Sequence, residues 1–333
     1  GKSSKRVSAE NDSSEDERGR QIHQTASEHL KKGNLKEALF LFKEILKTQQ
    51  EQYKDEDNRC VGAALHNVGI VHLKGEDYKS SLRFFEDAVR VRKGALGTFH
   101  ADVAASLVKL GIAQLNLKDH DTANESFREA LRIRRKLSKK GDDLHVAQIL
   151  SHIGLLHFEY GELLAAVSFF EEALSIKRTY KQDIAMQTSV SETLCSIGTI
   201  RSKRKQFGKA IVAFERAMEI QRKCLGEDHL SVLNTMDNLA FAYSKNGNQD
   251  NALKIYKKML RAQVAKYGES HMECAGTLAK MSIVYEKQKN YAAALGCTKE
   301  VQTIQECKLD YDHPDVLCTK NILTRIVRQM DKF

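Results

Sequence analysis

Apolar residues recur along this chain at the spacing of a helix rather than at the strict alternation of a half-buried strand. In one clear stretch Leu107, Leu110, Gly111 and Gln114 stand at i, i+3, i+4 and i+7. A polar turn from Lys118 to Thr122 follows, and then Ala123, Phe127, Ala130 and Leu131 repeat the spacing. Each cluster is one face of an amphipathic helix, so the stretch predicts two helices joined by a tight turn. The double pattern recurs through almost the whole sequence. The small residue of the first cluster is in turn Ala26, Gly69, Gly111, Gly154, Gly198, Ala240, Ser282 and Thr324, at intervals of 43, 42, 43, 44, 42, 42 and 42 residues. Twelve residues after this first small slot comes a second, held by Ala38, Ser81, Ala123, Ala166, Ala210, Ala252 and Ala294. Four residues further stands a large side chain: Phe42, Phe85, Phe127, Phe170, Phe214 and Tyr256, with Thr298 in the last copy.

Small residues on both helices allow the two to approach closely, and the aromatic is expected to fill the space toward the neighbouring pair. One such pair cannot bury its own apolar face, so the pairs must stack into a solenoid. Seven pairs are predicted to begin near residues 20, 60, 103, 146, 189, 231 and 273. A single helix over 316–330 is expected to cap the end, because a solenoid terminus needs a polar outer face. Residues 1–19, rich in Ser, Asp and Glu and poor in apolar side chains, read as a disordered tail ahead of one solenoid over 20–330. Within that tail Ser13 and Ser14 precede Asp16 and Glu17, an acidic context that resembles casein-kinase-type sites.

These repeats resemble the tetratricopeptide repeat family over about residues 20–330. The 42-residue interval narrows the likeness. Leu225-Gly226-Glu227-Asp228-His229 followed by Val232, and Tyr311-Asp312-His313-Pro314-Asp315-Val316, are similar to the L-G-x-D-H-P-x-V junctions of kinesin-light-chain-type repeats. Weaker copies are Ala95-Leu96-Gly97-Thr98-Phe99-His100 with Val103, and Tyr267-Gly268-Glu269-Ser270-His271. The resemblance implies an all-α, right-handed superhelical α-solenoid. It also implies a non-enzymatic scaffold or adaptor whose concave groove, lined by the first helix of each pair, holds peptide segments of other proteins.

Two ladders then become candidate peptide contacts. Two residues before the first small slot stand Asn67, Lys109, His152, Asn238 and Lys280, and one residue after it stand Ile70, Ile112, Leu155, Phe241 and Ile283. Amides bond a ligand backbone in both directions and the apolar ladder offers side-chain pockets. Lys31, Lys74, Lys203, Lys245 and Lys287, five residues after the slot, tip the face basic against Glu159, Glu192, Asp237 and Glu286, which points to an acidic peptide. The charge clamp by which this family holds the C-terminal carboxylate of heat-shock chaperones needs Lys and Asn one turn apart on the first helix. His23 and Ser27 occupy those places, so a chaperone tail is not expected.

Charge and composition change the picture little. Lys and Arg outnumber Asp and Glu by 53 to 44, which keeps a nucleic-acid-binding basic solenoid as an alternative, beside a structural, self-associating one. The basic residues lack the interleaved aromatics of a single-strand binder. Seven scattered cysteines without a C-x-x-C pair signal neither a disulfide framework nor a zinc module, so free thiols in a reducing compartment are expected. No stretch approaches the ~18 apolar residues of a membrane span, and the polar N-terminus lacks the apolar segment of a secretory signal, so no membrane insertion is expected. The cytoplasm fits best and the nucleus second. The register explains most of the twelve histidines: His29, His72 and His157 recur three residues after the slot, and His100, His229, His271 and His313 eleven before it. Equivalent residues on packed helices lie roughly 8–10 Å apart, too far to share one ion, and no nucleophile or phosphate-binding motif is present. No cofactor, metal or catalytic residue is expected.

Overall fold

The computed structural model describes residues 19–53, 57–138, 143–180 and 183–331, and these form fifteen helices and no strand. The tail, residues 1–18 with Ser13 and Ser14, lies outside the described residues, and residue 19 is already helical. In chain order the helices are α1 (19–32), α2 (Leu35–Tyr53), α3 (Arg59–Lys74), α4 (Tyr78–Leu96), α5 (Ala101–Asn116), α6 (His120–Leu137), α7 (Leu144–Glu159) and α8 (Leu163–Lys177). They continue as α9 (Ile184–Lys203), α10 (Phe207–Leu225), α11 (Leu230–Lys245), α12 (Gln249–Tyr267), α13 (Met272–Lys287), α14 (Tyr291–Glu306) and α15 (Pro314–Met330). The chain divides into two compact units, the first ending at Ile176 inside α8 and the second beginning at Lys177. In each unit odd-numbered first helices alternate with even-numbered second helices, and every neighbouring pair within a unit packs side chain to side chain.

The aromatic does more than fill the space toward the neighbouring pair. The ring lies directly over the glycine of its own pair. A Cβ added to Gly69, Gly111 or Gly198 would come within 2.8, 2.7 and 2.6 Å of Phe85, Phe127 and Phe214. Phe127 then also meets the following pair, stacking on His152 with ring centres 5.4 Å apart. The glycine is therefore a seat for the ring. Alanine at the slot still admits a ring, Phe42 after Ala26 and Tyr256 after Ala240, but in the last pair Ser282 fills the slot and its hydroxyl pairs with that of Thr298 at 2.7 Å.

Backbone geometry explains the punctuation between helices. In the seven helix pairs the residue seven after the first small slot takes a left-handed conformation: Gly33, Glu76, Lys118, Gly161, Lys205, Gly247 and Lys289. Glycine reaches this region without strain, whereas the Glu and Lys copies hold it at some energetic cost. At the junctions Gly97, Gly226 and Gly268 combine φ of 79°, 88° and 87° with ψ near 160°, a region essentially reserved for glycine. Three residues later the junction histidine caps the next helix. The Nδ1 atoms of His100, His229, His271 and His313 accept the backbone N–H two residues on, at 3.1, 3.2, 3.2 and 3.2 Å. The Gly-x-x-His spacing is thus a stop followed by a start. Asn58, Asp143 and Asp183 cap helices at the other junctions.

Between pairs the apolar core is crossed by buried polar rungs that periodicity alone did not reveal. Eleven residues after the second small slot, Gln221, Gln263 and Gln305 each accept through Oε1 a hydrogen bond from a threonine fourteen residues on: Thr235, Thr277 and Thr319, all at 2.7 Å. Arg92 fills the same place in the first unit and donates to Ser106 Oγ at 2.7 Å. Each rung ties a second helix to the first helix of the next pair and satisfies a buried polar group. The first rung is broken. Gln49 occupies the register, but Ala63 stands where a hydroxyl is needed, and Gln49 Oε1 is buried without a partner among the described residues. Ala63→Ser should therefore stabilise the protein by about 0.5–1 kcal/mol, the gain of one hydrogen bond less the weaker helix propensity of serine. In a urea unfolding series the same change made in a Gln49→Leu background should give no gain; an equal gain there would show that the hydroxyl finds another partner.

Candidate functional site: the exposed face of the first helices

In the first unit α3, α5 and α7 lie side by side and carry six of the ten candidate residues. Asn67 and Ile70 on α3, Lys109 and Ile112 on α5, and His152 on α7 are half-buried, while Leu155 is 40% exposed. Ile70 and Ile112 rest against the core of this unit, so they offer edges rather than free side chains. His152 is stacked on Phe127, which makes it chiefly a packing residue. The Asn67 amide is already engaged with His23 Nε2 at 3.1 Å, bridging α1 and α3.

In the second unit α11 and α13 present the other four. Asn238 and Lys280 are exposed, and Phe241 and Ile283 stand out at 46% and 53% exposure. The Lys245 ammonium lies 5.4 Å from the centre of the Phe241 ring, a cation–π contact along one turn.

The cations of this face differ between the units. In the second unit Lys280 is held by both oxygens of Asp237, at 2.7 and 2.8 Å, and Arg325 on α15 by both oxygens of Glu286, at 2.9 and 3.0 Å. The sequence placed Asp237 and Glu286 on the face only as scattered opposition. The structure shows them as ties between successive first helices. The rim lysines also serve as ties: Lys287 donates to Ser244 Oγ at 2.8 Å and Lys74 to the Leu30 carbonyl at 3.4 Å. Lys109, half-buried on the same face, has no carboxylate in ion-pair reach among the described residues. Burial, and after it the neighbouring Lys74, hold its ammonium below the ordinary lysine range.

Beside Lys109 lies a group that the sequence did not single out. His66 on α3 hydrogen-bonds Ser106 Oγ at 3.2 Å, and the same hydroxyl receives Arg92, whose guanidinium also reaches the Asp102 carbonyl at 2.8 Å. Burial first, then Arg92 and Lys109, push the His66 pKa down to about 3. The ring is neutral at neutral pH, which limits the positive charge packed around Lys109. Its depressed folded pKa also sets a sign for acid stability. Below pH 6.5 the unfolded chain binds a proton that the folded chain refuses, so stability falls as the pH drops from 6.5 toward 3. The full slope of ~1.4 kcal/mol per unit is reduced by partial exposure of the ring. His66→Gln should therefore gain about 1–2 kcal/mol on the wild type between pH 6.5 and 4.5. Parallel stability curves in paired denaturant titrations would refute the depressed value.

Among the described residues no three His, Cys, Asp or Glu side chains group closely enough to hold a metal ion, and no helix is long and apolar enough to cross a membrane. Ties from helix to helix, an open row of first helices and solvent-facing side chains of mixed character define a repeat solenoid of the kind that presents a surface to other proteins. The tetratricopeptide repeat model matches residues 60–136, 102–179 and 189–263, more than half of the chain, and the protein belongs to that family. Solved structures share the fold at low identity. BtubC (BKLC) from P. vanneervenii is 19% identical, with a TM-score of 0.57 over 70% of this chain and 91% of its own. A Podospora anserina putative kinesin light chain with nearly identical TPR-like repeats is 18% identical, with a TM-score of 0.51 over 62% and 96%. The C-terminal part of a TPR repeat-containing protein from Cytophaga hutchinsonii is 14% identical, with a TM-score of 0.60 over 89% and 98%. The fold neighbours thus include kinesin-light-chain-like repeat proteins. No curated protein sequence matches the chain. Membership of this family makes the protein a protein-interaction scaffold in general character, and such scaffolds are as a rule non-enzymatic.

Proposed function

We propose that the protein is a cytoplasmic, non-enzymatic adaptor that holds peptide segments of acidic character on the exposed face of its first helices, with the charge-reading position in the first unit. The observation that carries this reading is Lys109. A half-buried ammonium without a carboxylate partner is costly to keep, and it sits one turn from Ile112 and beside the helix that bears Ile70. A bound carboxylate supplies the missing counter-charge, while the apolar edges of α3 and α5 and the exposed Leu155 receive a bulky neighbour in the same peptide. In the second unit the exposed Phe241 and Ile283 favour apolar anchoring, since Lys280 is already neutralised by Asp237.

The test is an anisotropy titration of labelled fifteen-residue peptides that differ only in whether an acidic pair precedes a leucine or phenylalanine. Acidic peptides should bind, and amide-substituted versions should not. Equal binding of both sets, or preference for single-stranded DNA of the same length, sinks the reading in favour of apolar or nucleic-acid recognition.

A further inference from the structure

The outward face of the second helices follows a rule that one helix breaks. Four positions of that face carry mixed or acidic charge in most copies: Arg83, Glu86, Asp87 and Arg90 on α4, and Glu125, Arg128, Glu129 and Arg132 on α6. The charges there are used. Lys93 near the end of α4 pairs with Glu129 on α6 at 3.0 Å, and Arg135 on α6 pairs with Glu172 on α8 at 2.6 Å, so each pair laces one second helix to the next. In the second unit the cation of this register is Arg222 on α10, and the acid it would meet is replaced by Lys258 on α12. Arg222 turns instead to Glu227, at 3.6 Å.

The rest of the α12 face follows Lys258. Its four positions are Lys254, Lys257, Lys258 and Arg261, all exposed and all cationic. They stand three and four residues apart on one side of the helix, so they repel one another and weaken it. The acid of α12, Asp250, accepts from Gln288 at 2.7 Å at the far end, and Glu219 on α10 is taken by Lys223 at 2.7 Å. Apart from the Lys257 ammonium, which lies 6.0 Å from the centre of the Tyr285 ring on α13, the row gives up an inter-helix ion pair and sets four like charges side by side, which costs the fold more than it returns. Local conflict of this kind marks a surface kept for another purpose.

We propose that the solvent face of α12 is a second docking surface, separate from the first-helix face, and that its occupant is an acidic helical segment of a partner protein. Charge complementarity and spacing select the partner. Lys254 to Arg261 span seven residues, about 10 Å of helix, and a helix with carboxylates at i, i+3 or i+4, and i+7 presents the matching row. Anionic membrane is less suited, because among the residues of α12 from Lys254 to Arg261 no large apolar side chain is exposed to enter the lipid. Nucleic acid is less suited, because the aromatic beside the row, Tyr285 at 6.0 Å from Lys257, is half-buried, and the exposed Tyr267 at the end of α12 is stacked on His271 with ring centres 4.7 Å apart.

The experiment uses the full chain and a capped 21-residue alanine-based peptide with glutamates at i, i+3, i+4 and i+7, read by fluorescence anisotropy at low salt. Comparison probes are a scrambled peptide of the same composition, a 21-nucleotide single-stranded DNA, and vesicles of phosphatidylcholine and phosphatidylserine. The variants are Lys254→Gln/Lys258→Gln/Arg261→Gln and the corresponding triple change to Glu. The control is Lys32→Glu/Lys43→Glu/Lys79→Glu, which alters net charge as much as the α12 Glu triple but is spread over α1, α2 and α4. The patterned peptide should bind wild type and control alike, bind the Gln triple at least tenfold more weakly, and not bind the Glu triple measurably. Thermal midpoints of the Gln triple at or above wild type keep misfolding out of the result. The proposal is overturned by equal loss in the control, by equal binding of the scrambled peptide, by no binding at all, or by DNA or vesicles binding more tightly in an α12-dependent way.

Discussion

Phe127→Ala is expected to lower the unfolding free energy by about 3–5 kcal/mol, the range of large-to-small changes at fully buried aromatics. The side chain is wholly inaccessible, and it fills space on two sides, over Gly111 of its own pair and against the His152 ring of the next. The cavity has no cheap way to close. Gly111 has no side chain to lean inward, and the helices are held at their distance by Ala123 and the other small contacts. Phe42→Ala, in the pair that begins the described chain, should sit at the lower end of that range. Urea unfolding followed by circular dichroism decides the matter. A loss below ~1.5 kcal/mol at Phe127 would mean that the ring is not the wedge between pairs that its position indicates.

Reversal of one charge should have the second large effect. Lys109→Glu is expected to weaken binding of an acidic peptide by well over tenfold, because an attraction becomes a repulsion at a partly desolvated position and each ~1.4 kcal/mol is tenfold. The fold should change by about 1 kcal/mol or less, since the new carboxylate lies near Lys74 and the substitution creates no cavity. Lys280→Ala is the informative contrast. That lysine is committed to Asp237, so its removal should alter peptide affinity less than threefold. Lys43→Glu, an exposed change on α2, controls for net charge. Equal losses in all three variants would show that the peptide responds to the overall field of the protein, and the assignment to the first-helix face would fail.

Much of the architecture was legible because repetition made it so. Gly69, Gly111, Gly154 and Gly198, followed sixteen residues later by Phe85, Phe127, Phe170 and Phe214, state a helix pair four times over in plain sequence, and only packing in register satisfies them together. The junction histidines were also visible as a pattern, though not as caps. Their role depends on the backbone at the histidine, held at ψ near 140°, which brings Nδ1 onto the N–H two residues on, with a positive-φ glycine three residues earlier at His229 and without one at His313. The polar rungs were hidden for a different reason. Gln221 and Thr235 are fourteen residues apart, on different helices of different pairs, and nothing local distinguishes a buried glutamine from an exposed one.

The sequence by itself determined the helices, their pairing and the residues that stand on each first-helix face, because these follow from periods of 3.6 and 42 residues that any stretch of the chain displays. Only the tertiary structure decided which of those residues are free to act. Lys109 and Lys280 occupy the same register and read alike as letters, yet one lies against Asp237 and the other has no carboxylate in reach. Lys258 likewise holds the register of Glu129 and Glu172, and only the fold shows that the cation of the preceding second helix, Arg222, has no acid to meet there and turns to Glu227. The physical reason is the same in both places. A helix period fixes the direction in which a side chain leaves its own helix, whereas its charge state and its availability are set by groups 36 to 43 residues away that the fold brings within a few ångströms.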